Sequence, residues 1–473
     1  MNNLLIELRC YYAKYSILEL QDMLYDKFIG NETELDCVFN KYCWTFDIID
    51  KDNINPSFIS VLFEDYIDQK THASFYTPQS FTNFISHDVL EQRNIATKIL
   101  DPSCGAGNFI LEALYYQFNK FKHEYNGNEQ TLKLYLIENC LYGVDIMPEA
   151  VYTTILRLKL ALYEHGALPS DIKHNIKVGN ALIGLQEYKP VGLFSESNPD
   201  VILLYHMNES KIKYEGFSNQ KSILRELTIE DVRELNPFHW GIEFNTKFDV
   251  ILMNPPWMRL SKDSKEFFMQ YDDTLTKNSK PKVIEEIKNK LLQDLEISRA
   301  YDKYLSSFNH LTKWLRAHPI YSQYKNQDNN LYKYFMLLSL HILNENGECA
   351  AVIPSGIYTD MSTQSFRTNV FDNNTLIKLI GFTNKKKVFN NVDSTFKFCI
   401  FHYKKGGVTN SFKTSFGNDD INNLNEFKDM DVDFVKRSSP TIHSIIEIKN
   451  DIEFNIINKL IKFPKLSEIE EEL

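Results

Sequence analysis

The spacing of apolar positions along this chain changes several times, and each change marks a boundary. Residues 1–70, including LLIELRCYYAKYSILELQDMLYDKF, carry apolar side chains three and four residues apart and predict helices. The same spacing recurs in QSFTNFISHDVL, behind Thr77-Pro78, a pair that predicts an N-cap with proline at the first helical position. From Thr97 the chain alternates short apolar runs with helical stretches. Thr97–Leu100, Cys140–Val144 and Ile176–Val178 predict short strands, and the segments between them predict helices. FDVILM at 248–253 is the most apolar of these runs and predicts a central strand entering the rigid turn Asn254-Pro255-Pro256-Trp257.

The alternation then breaks. Residues 258–330 predict a helical insertion, with KVIEEIKNKLLQDLEI as its clearest helix. The α/β pattern resumes in LYKYFMLLSLHILNENG, a helix that Gly347 is expected to end, followed by a strand at 349–354 and the strands LIKLIGF and FKFCIFHY. Gly406-Gly407 and the Asn/Asp-rich 408–433 read as a boundary. The expected division is a helical region 1–70, an α/β core over 71–257 and 331–407, the insertion 258–330, and a linker with the start of a truncated or missing module over 408–473.

Composition narrows the classes. Hydrophobic content of 43% is enough for a folded core. No run approaches the roughly 18–20 apolar residues of a membrane span, and no signal-peptide pattern is visible. Seven scattered cysteines without CxxC spacing point to a reduced, cytoplasmic compartment and away from a zinc site, and no metal ligands are expected. A net charge of −11 counts against a general nucleic-acid coat. The insertion, with 13 Lys and Arg against 10 Asp and Glu and many interleaved aromatics, reads either as a flap that meets phosphates or as a solvated helical excursion.

Three predicted strands end in ligand-type residues. The first runs into Asp101-Pro102-Ser103-Cys104-Gly105-Ala106-Gly107-Asn108-Phe109, where two glycines let the backbone approach a ligand and Asp101 suits an α-amino group. The second ends in Asp145, placed to accept from ribose hydroxyls, and the third in Asn180, which can donate to and accept from the edge of an adenine ring. The fourth ends in Asn254-Pro255. Their side-chain and backbone oxygens can accept the hydrogens of an exocyclic amine, while Trp257 stacks on the base. Phe389 is a candidate for the second face of that stacking slot. Pro199-Asp200 with Glu209 and Lys211 has a nuclease-like order, but the spacer is too short for the usual two strands.

With FYTP (75–78), DPSCGAGNF (101–109), GVDI (143–146), VGNAL (178–182), FDVILMNPPW (248–257), IPSG (353–356) and VFNNVDSTF (388–396) in this order, the chain resembles the γ-class N6-adenine DNA methyltransferases of type IIG-like restriction-modification and phage-defence systems. The resemblance implies an α/β, Rossmann-like class I S-adenosylmethionine-dependent methyltransferase fold. It implies S-adenosylmethionine as cofactor, held by Tyr76, Thr77, Pro78, Asp101, Pro102, Ser103, Cys104, Gly105, Gly107, Asp145, Ile146, Asn180, Ala181 and Asn254. Asn254, Pro255, Pro256 and Trp257 become the catalytic turn, and Trp257 with Phe389 the target-base stack. The implied partners are double-stranded DNA and a chain or module that supplies target recognition and a nuclease; no membrane is implied. Many relatives carry Asp at the place of Asn180, and Tyr or Phe at that of Trp257. The competing readings are a cofactor-binding but catalytically idle subunit and a protein or RNA methyltransferase.

Overall fold

The computed structural model describes residues 16–28, 57, 59–64, 77–163, 172–184, 202–203, 214–215, 227, 229–260, 264–272, 274–275, 279–324, 330–390 and 392–463. Within them the helices are α1 (Ile17–Phe28), α2 (Gln79–Leu90), α3 (Asn108–Phe121), α4 (Glu129–Asn139), α5 (Pro148–Tyr163), α6 (Ile229–Arg233), α7 (Trp240–Glu243), α8 (Ser264–Met269), α9 (Pro281–Leu291), α10 (Leu295–Ala317), α11 (Leu331–Ile342), α12 (Gly356–Thr359), α13 (Gln364–Asn373), α14 (Val432–Ser438) and α15 (Asp451–Leu460). The strands are β1 (Ile99–Asp101), β2 (Leu141–Asp145), β3 (Asn175–Val178), β6 (Phe248–Met253), β7 (Leu343–Pro354), β8 (Asn374–Thr383), β9 (Lys397–Lys405), β10 (Ser411–Asn418) and β11 (Lys428–Asp431), with β4 (Ile202–Leu203) and β5 (Tyr214–Glu215) in a separate ribbon. The nuclease-like string and Tyr76 fall outside the described residues.

Nine strands make one sheet in the order β11-β10-β8-β9-β7-β6-β1-β2-β3. From β3 across to β8 every strand is parallel except β9, which runs antiparallel to both neighbours. This is the α/β, Rossmann-like architecture expected from the sequence. Strand β6 shows why its sequence is apolar throughout Val250–Met253. Val250 and Leu252 belong to one buried cluster, together with Phe109, Ile110 and Leu136, while Ile251 and Met253 belong to the other, together with Trp240, Met336 and Leu338. A strand with helices on both faces has no polar side to show. The strand order reverses between β1 and β6, which opens a crevice at their carboxyl ends, beside Asp101 and Asn254.

Several boundaries differ from the sequence reading. Helix α2 starts at Gln79 with Pro78 as its N-cap, so the proline precedes the first turn. Helix α11 ends at Ile342 instead of Gly347, and β7 continues through Asn346, which takes a left-handed φ of 65°. The segment read as a linker from 408 supplies two strands: β10 pairs in parallel with β8, and β11 antiparallel with β10. Its Asn and Asp residues serve the turn between them, where Asn418 Nδ2 donates to Gly381 O at 3.0 Å and Asn425 Nδ2 to Phe416 O at 2.8 Å.

The insertion leaves and rejoins the core at one place: Arg259 bridges Asn330, and Leu331 N donates to Met258 O at 3.0 Å. Several of its aromatics turn inward, with Phe268, Tyr321 and Tyr324 fully buried and Trp314 bonded to the Leu182 carbonyl at 3.1 Å, while Tyr271 stays exposed. Interleaving with charge here reflects core packing. Phe267, Phe268, Leu275 and Tyr301 form a small core of their own between α8, α9 and α10.

Helix α2 is tied to the sheet by buried charge. His402 on β9 meets Glu348 on β7 at 2.9 Å and Asp88 on α2 at 3.6 Å; Lys378 on β8 pairs with Asp88, and Arg93 with Glu348 at 2.9 Å. Burial opposes the charged imidazole, but hydrogen bonds and charge from Asp88 and Glu348 outweigh it and hold its pKa above the ordinary value. A raised folded-state pKa adds stability that is complete below pH about 6.5 and is lost as pH rises through the folded value. The melting temperature of the native protein is therefore expected to fall between pH 6 and 9 more steeply than that of His402→Gln. An equal slope in thermal melts would contradict the assignment.

Candidate active site

The site grows out of the loop between β1 and α3. Gly105 and Gly107 take φ values of 50° and 80°, and a Cβ at Gly107 would lie 2.6 Å from Thr154 Cγ2. The loop is fixed from both strand ends. Asp101 accepts from Ser103 N at 3.0 Å; Asp145 accepts from Gly105 N at 2.8 Å and Met147 N at 2.9 Å. Each Asp145 oxygen keeps a lone pair for a ligand. Asp101 is buried, and that burial, with the neighbouring charge of Asp145 and against the Ser103 amide, raises its pKa to about 8. Burial raises Asp145 too, opposed by its backbone hydrogen bonds.

A cavity of about 440 Å³ opens over these strand ends. It touches Thr77, Asp101, Pro102, Ser103, Cys104, Gly105, Asp145, Ile146, Asn180, Ala181, Asn254, Pro255, Pro256 and Trp257, so most of the residues singled out in the sequence line one space. Ile146 is 54% exposed, an apolar side chain presented at the end of β2. Asn180 Oδ1 accepts from Leu182 N at 3.2 Å, the bond of a local Asx turn, so this residue shapes the loop as well as lining the cavity.

Trp257 is held in place by a bond from Nε1 to Val352 O at 3.2 Å. The expected pairing with Phe389 is not a slot. Phe389 is buried, with its ring edge-on to Trp257 at 4.8 Å between centroids, which leaves no gap for a base. Asn384 accounts for this, since its Oδ1 accepts from Phe389 N at 3.0 Å and its Nδ2 donates to Phe389 O at 2.9 Å, drawing that loop inward. The half-exposed Phe396 is instead stacked on Trp257, at 5.6 Å and 15°. Pro78 and Gly107 are not among the residues that line the cavity. The sequence reading missed Met258, Leu311, Leu331 and Phe335, which line the cavity. Leu311 sits on α10 of the insertion, and only tertiary packing brings it there.

A family model described as N-6 DNA methylase matches residues 60–182. A protein of Methanocaldococcus jannaschii named as a type II restriction enzyme and methyltransferase is 23% identical over 275 residues, covering 37% of this chain and 23% of its own length. The chain thus spans about a quarter of that curated relative. Among solved structures, a modification subunit of a type I restriction enzyme from Vibrio vulnificus is 14% identical, with a TM-score of 0.43 over 86% of this chain and 67% of the other. A class I S-adenosylmethionine-dependent methyltransferase from Listeria monocytogenes is 11% identical, with a TM-score of 0.39 over 86% and 85%. A model of the Eco57I restriction-modification methylase matches residues 139–296 and 304–389, about half of the sequence, and the chain belongs to that family.

Proposed function

We propose that this protein transfers a methyl group from S-adenosylmethionine to the N6 amine of an adenine held out of double-stranded DNA, as part of a restriction-modification system. The observation that carries the reading is the placement of Asn254-Pro255 in the same cavity as Asp101 and Asp145. One end can hold an amino-acid and ribose ligand while the other presents two acceptors to an amine.

The residues present fit the cofactor. Asp101 can take its ammonium, Asp145 its ribose hydroxyls, and the glycine loop gives close backbone approach. Exposed Ile146 offers an apolar face to its adenine ring. When bound, it supplies an electrophilic methyl group. Asn254 Oδ1 and Pro255 O would each accept one hydrogen of the target amine, which directs its lone pair out of the base plane. Neither Pro255 nor Pro256 has an N–H to compete, so the acceptors are set in advance. Bringing the base here costs a few kcal/mol of stacking and pairing, offset in part by stacking on a Trp257 that is already fixed. Recognition of the surrounding DNA sequence is assigned to a further module or partner chain, in keeping with the greater length of the curated relative.

The test is transfer of tritiated methyl from S-adenosylmethionine to bulk genomic DNA, followed by nucleoside analysis. N6-methyladenine is the expected product. Label in cytosine, or in protein or RNA but not in DNA, would overturn the proposal.

A further inference from the structure

Asn108, the first residue of α3, joins four segments of the chain. Its Oδ1 accepts from Arg157 Nη1 at 2.7 Å and lies 3.1 Å from the Ser60 hydroxyl. Its Nδ2 donates to Thr77 O at 3.1 Å and reaches Glu64 Oε1 at 3.4 Å. Ser60 Oγ also lies 2.8 Å from that Glu64 oxygen. Arg157, on α5 and only 4% exposed, donates further to Ala106 O, and Thr154 donates to Gly105 O at 2.9 Å. The neighbouring Thr153 of α5 accepts from Gln21 Nε2 of α1 at 2.9 Å.

This geometry meets a need of the loop itself. A stretch with glycine at 105 and 107 has little side-chain packing of its own, so its carbonyls must be held by other elements. Carbonyls 105 and 106 are held from α5. The start of α3 and the carbonyl of Thr77, which lines the cavity, are held by Asn108. The anchors behind Asn108 are the buried guanidinium of Arg157 and, from helical residues 59–64, Ser60 and Glu64.

We infer that Asn108 is a positioning residue through which the N-terminal segment at Ser60 and Glu64 forms the back of the cofactor site, and that cofactor binding in turn steadies residues 59–64. The inference rests on the reading of the cavity as an S-adenosylmethionine site. Coupling of this kind is reciprocal, because a contact that favours the bound loop is itself favoured by binding.

The full chain, its Asn108→Ala and Glu64→Ala variants and the double variant are titrated calorimetrically with S-adenosylmethionine and with S-adenosylhomocysteine. Hydrogen exchange of 59–64 is followed with and without ligand. Each single variant is expected to weaken binding about tenfold, and the double variant no further than Asn108→Ala. At saturating cofactor the transfer rate should stay within about twofold, so that KM moves and kcat does not. Ligand should slow exchange at 59–64 in the native chain, a readout that needs no variant to fold. Unchanged affinity in Asn108→Ala, additive losses in the double variant, or exchange at 59–64 indifferent to ligand would overturn the inference. Failure of the native chain to bind either ligand would remove the reading beneath it, and the inference with it, and would show before any substitution is made.

Discussion

Replacing Asn254 by alanine is expected to lower the rate of methyl transfer at saturating cofactor by about a thousandfold, while affinity for S-adenosylmethionine stays within a few-fold. The size of the effect follows from what the residue can do. The amine of a purine is a poor nucleophile while its lone pair is delocalised into the ring, and two fixed acceptors on its hydrogens oppose that delocalisation. Alanine removes one acceptor and leaves the Pro255 carbonyl. The β6 strand that aims the turn is buried on both faces, so the backbone should keep its course without the side chain. Loss of cofactor binding comparable to the loss of rate, read by calorimetry beside single-turnover transfer, would move Asn254 from catalysis to cofactor support.

Asp101 carries the second large effect. Asp101→Ala is expected to weaken S-adenosylmethionine binding by about a hundredfold or more, because it removes the buried partner of an ammonium. The raised pKa gives this residue a pH signature. With the carboxyl near 8 in the ligand-free protein, affinity should climb as pH rises from 6 towards 8 and the group ionises. Its contribution to stability has the opposite sense. A carboxyl whose folded pKa lies above its unfolded value of 3.8 contributes stability that is complete below pH about 4 and is lost as pH rises through about 8. Asp101→Asn should therefore melt higher than the native protein at pH 8, yet bind cofactor weakly and with little dependence on pH. Retained, pH-dependent binding in Asp101→Asn would contradict the assignment.

What the sequence revealed, and what it hid, follows from where each signal resides. Strands β1, β2 and β6 are legible because each is a short, mainly apolar run that ends in a polar ligand-type residue, and both halves of that signal are local; β3, Asn-Ile-Lys-Val, is legible mainly from the Gly179-Asn180 that follows it. Strands β10 and β11 read as a linker in the sequence because β10 lies near the sheet edge with several side chains exposed, and the Asn and Asp of its turn resemble the composition of an unstructured segment. Phe389 was assigned from its place in a motif, but its orientation is set by Asn384, whose hydrogen bonds pull the ring behind Trp257. Leu311 and the Ser60–Glu64–Asn108–Arg157 junction gave no local signal at all. They join segments far apart in the chain: Asn108 lies 49 residues from Arg157 and 44 from Glu64, and Leu311 reaches the cavity from the insertion.

One measurement is the most direct: the product formed when the purified chain, alone and then with the further chain or module proposed to read the DNA sequence, is given DNA and S-adenosylmethionine labelled in the methyl group. N6-methyladenine is expected in the DNA, formed about a thousandfold more slowly by Asn254→Ala under conditions where that variant still binds cofactor. Clear cofactor binding by the native chain with no methylated adenine in either preparation would contradict the proposal and make this cavity a binding site without a reaction.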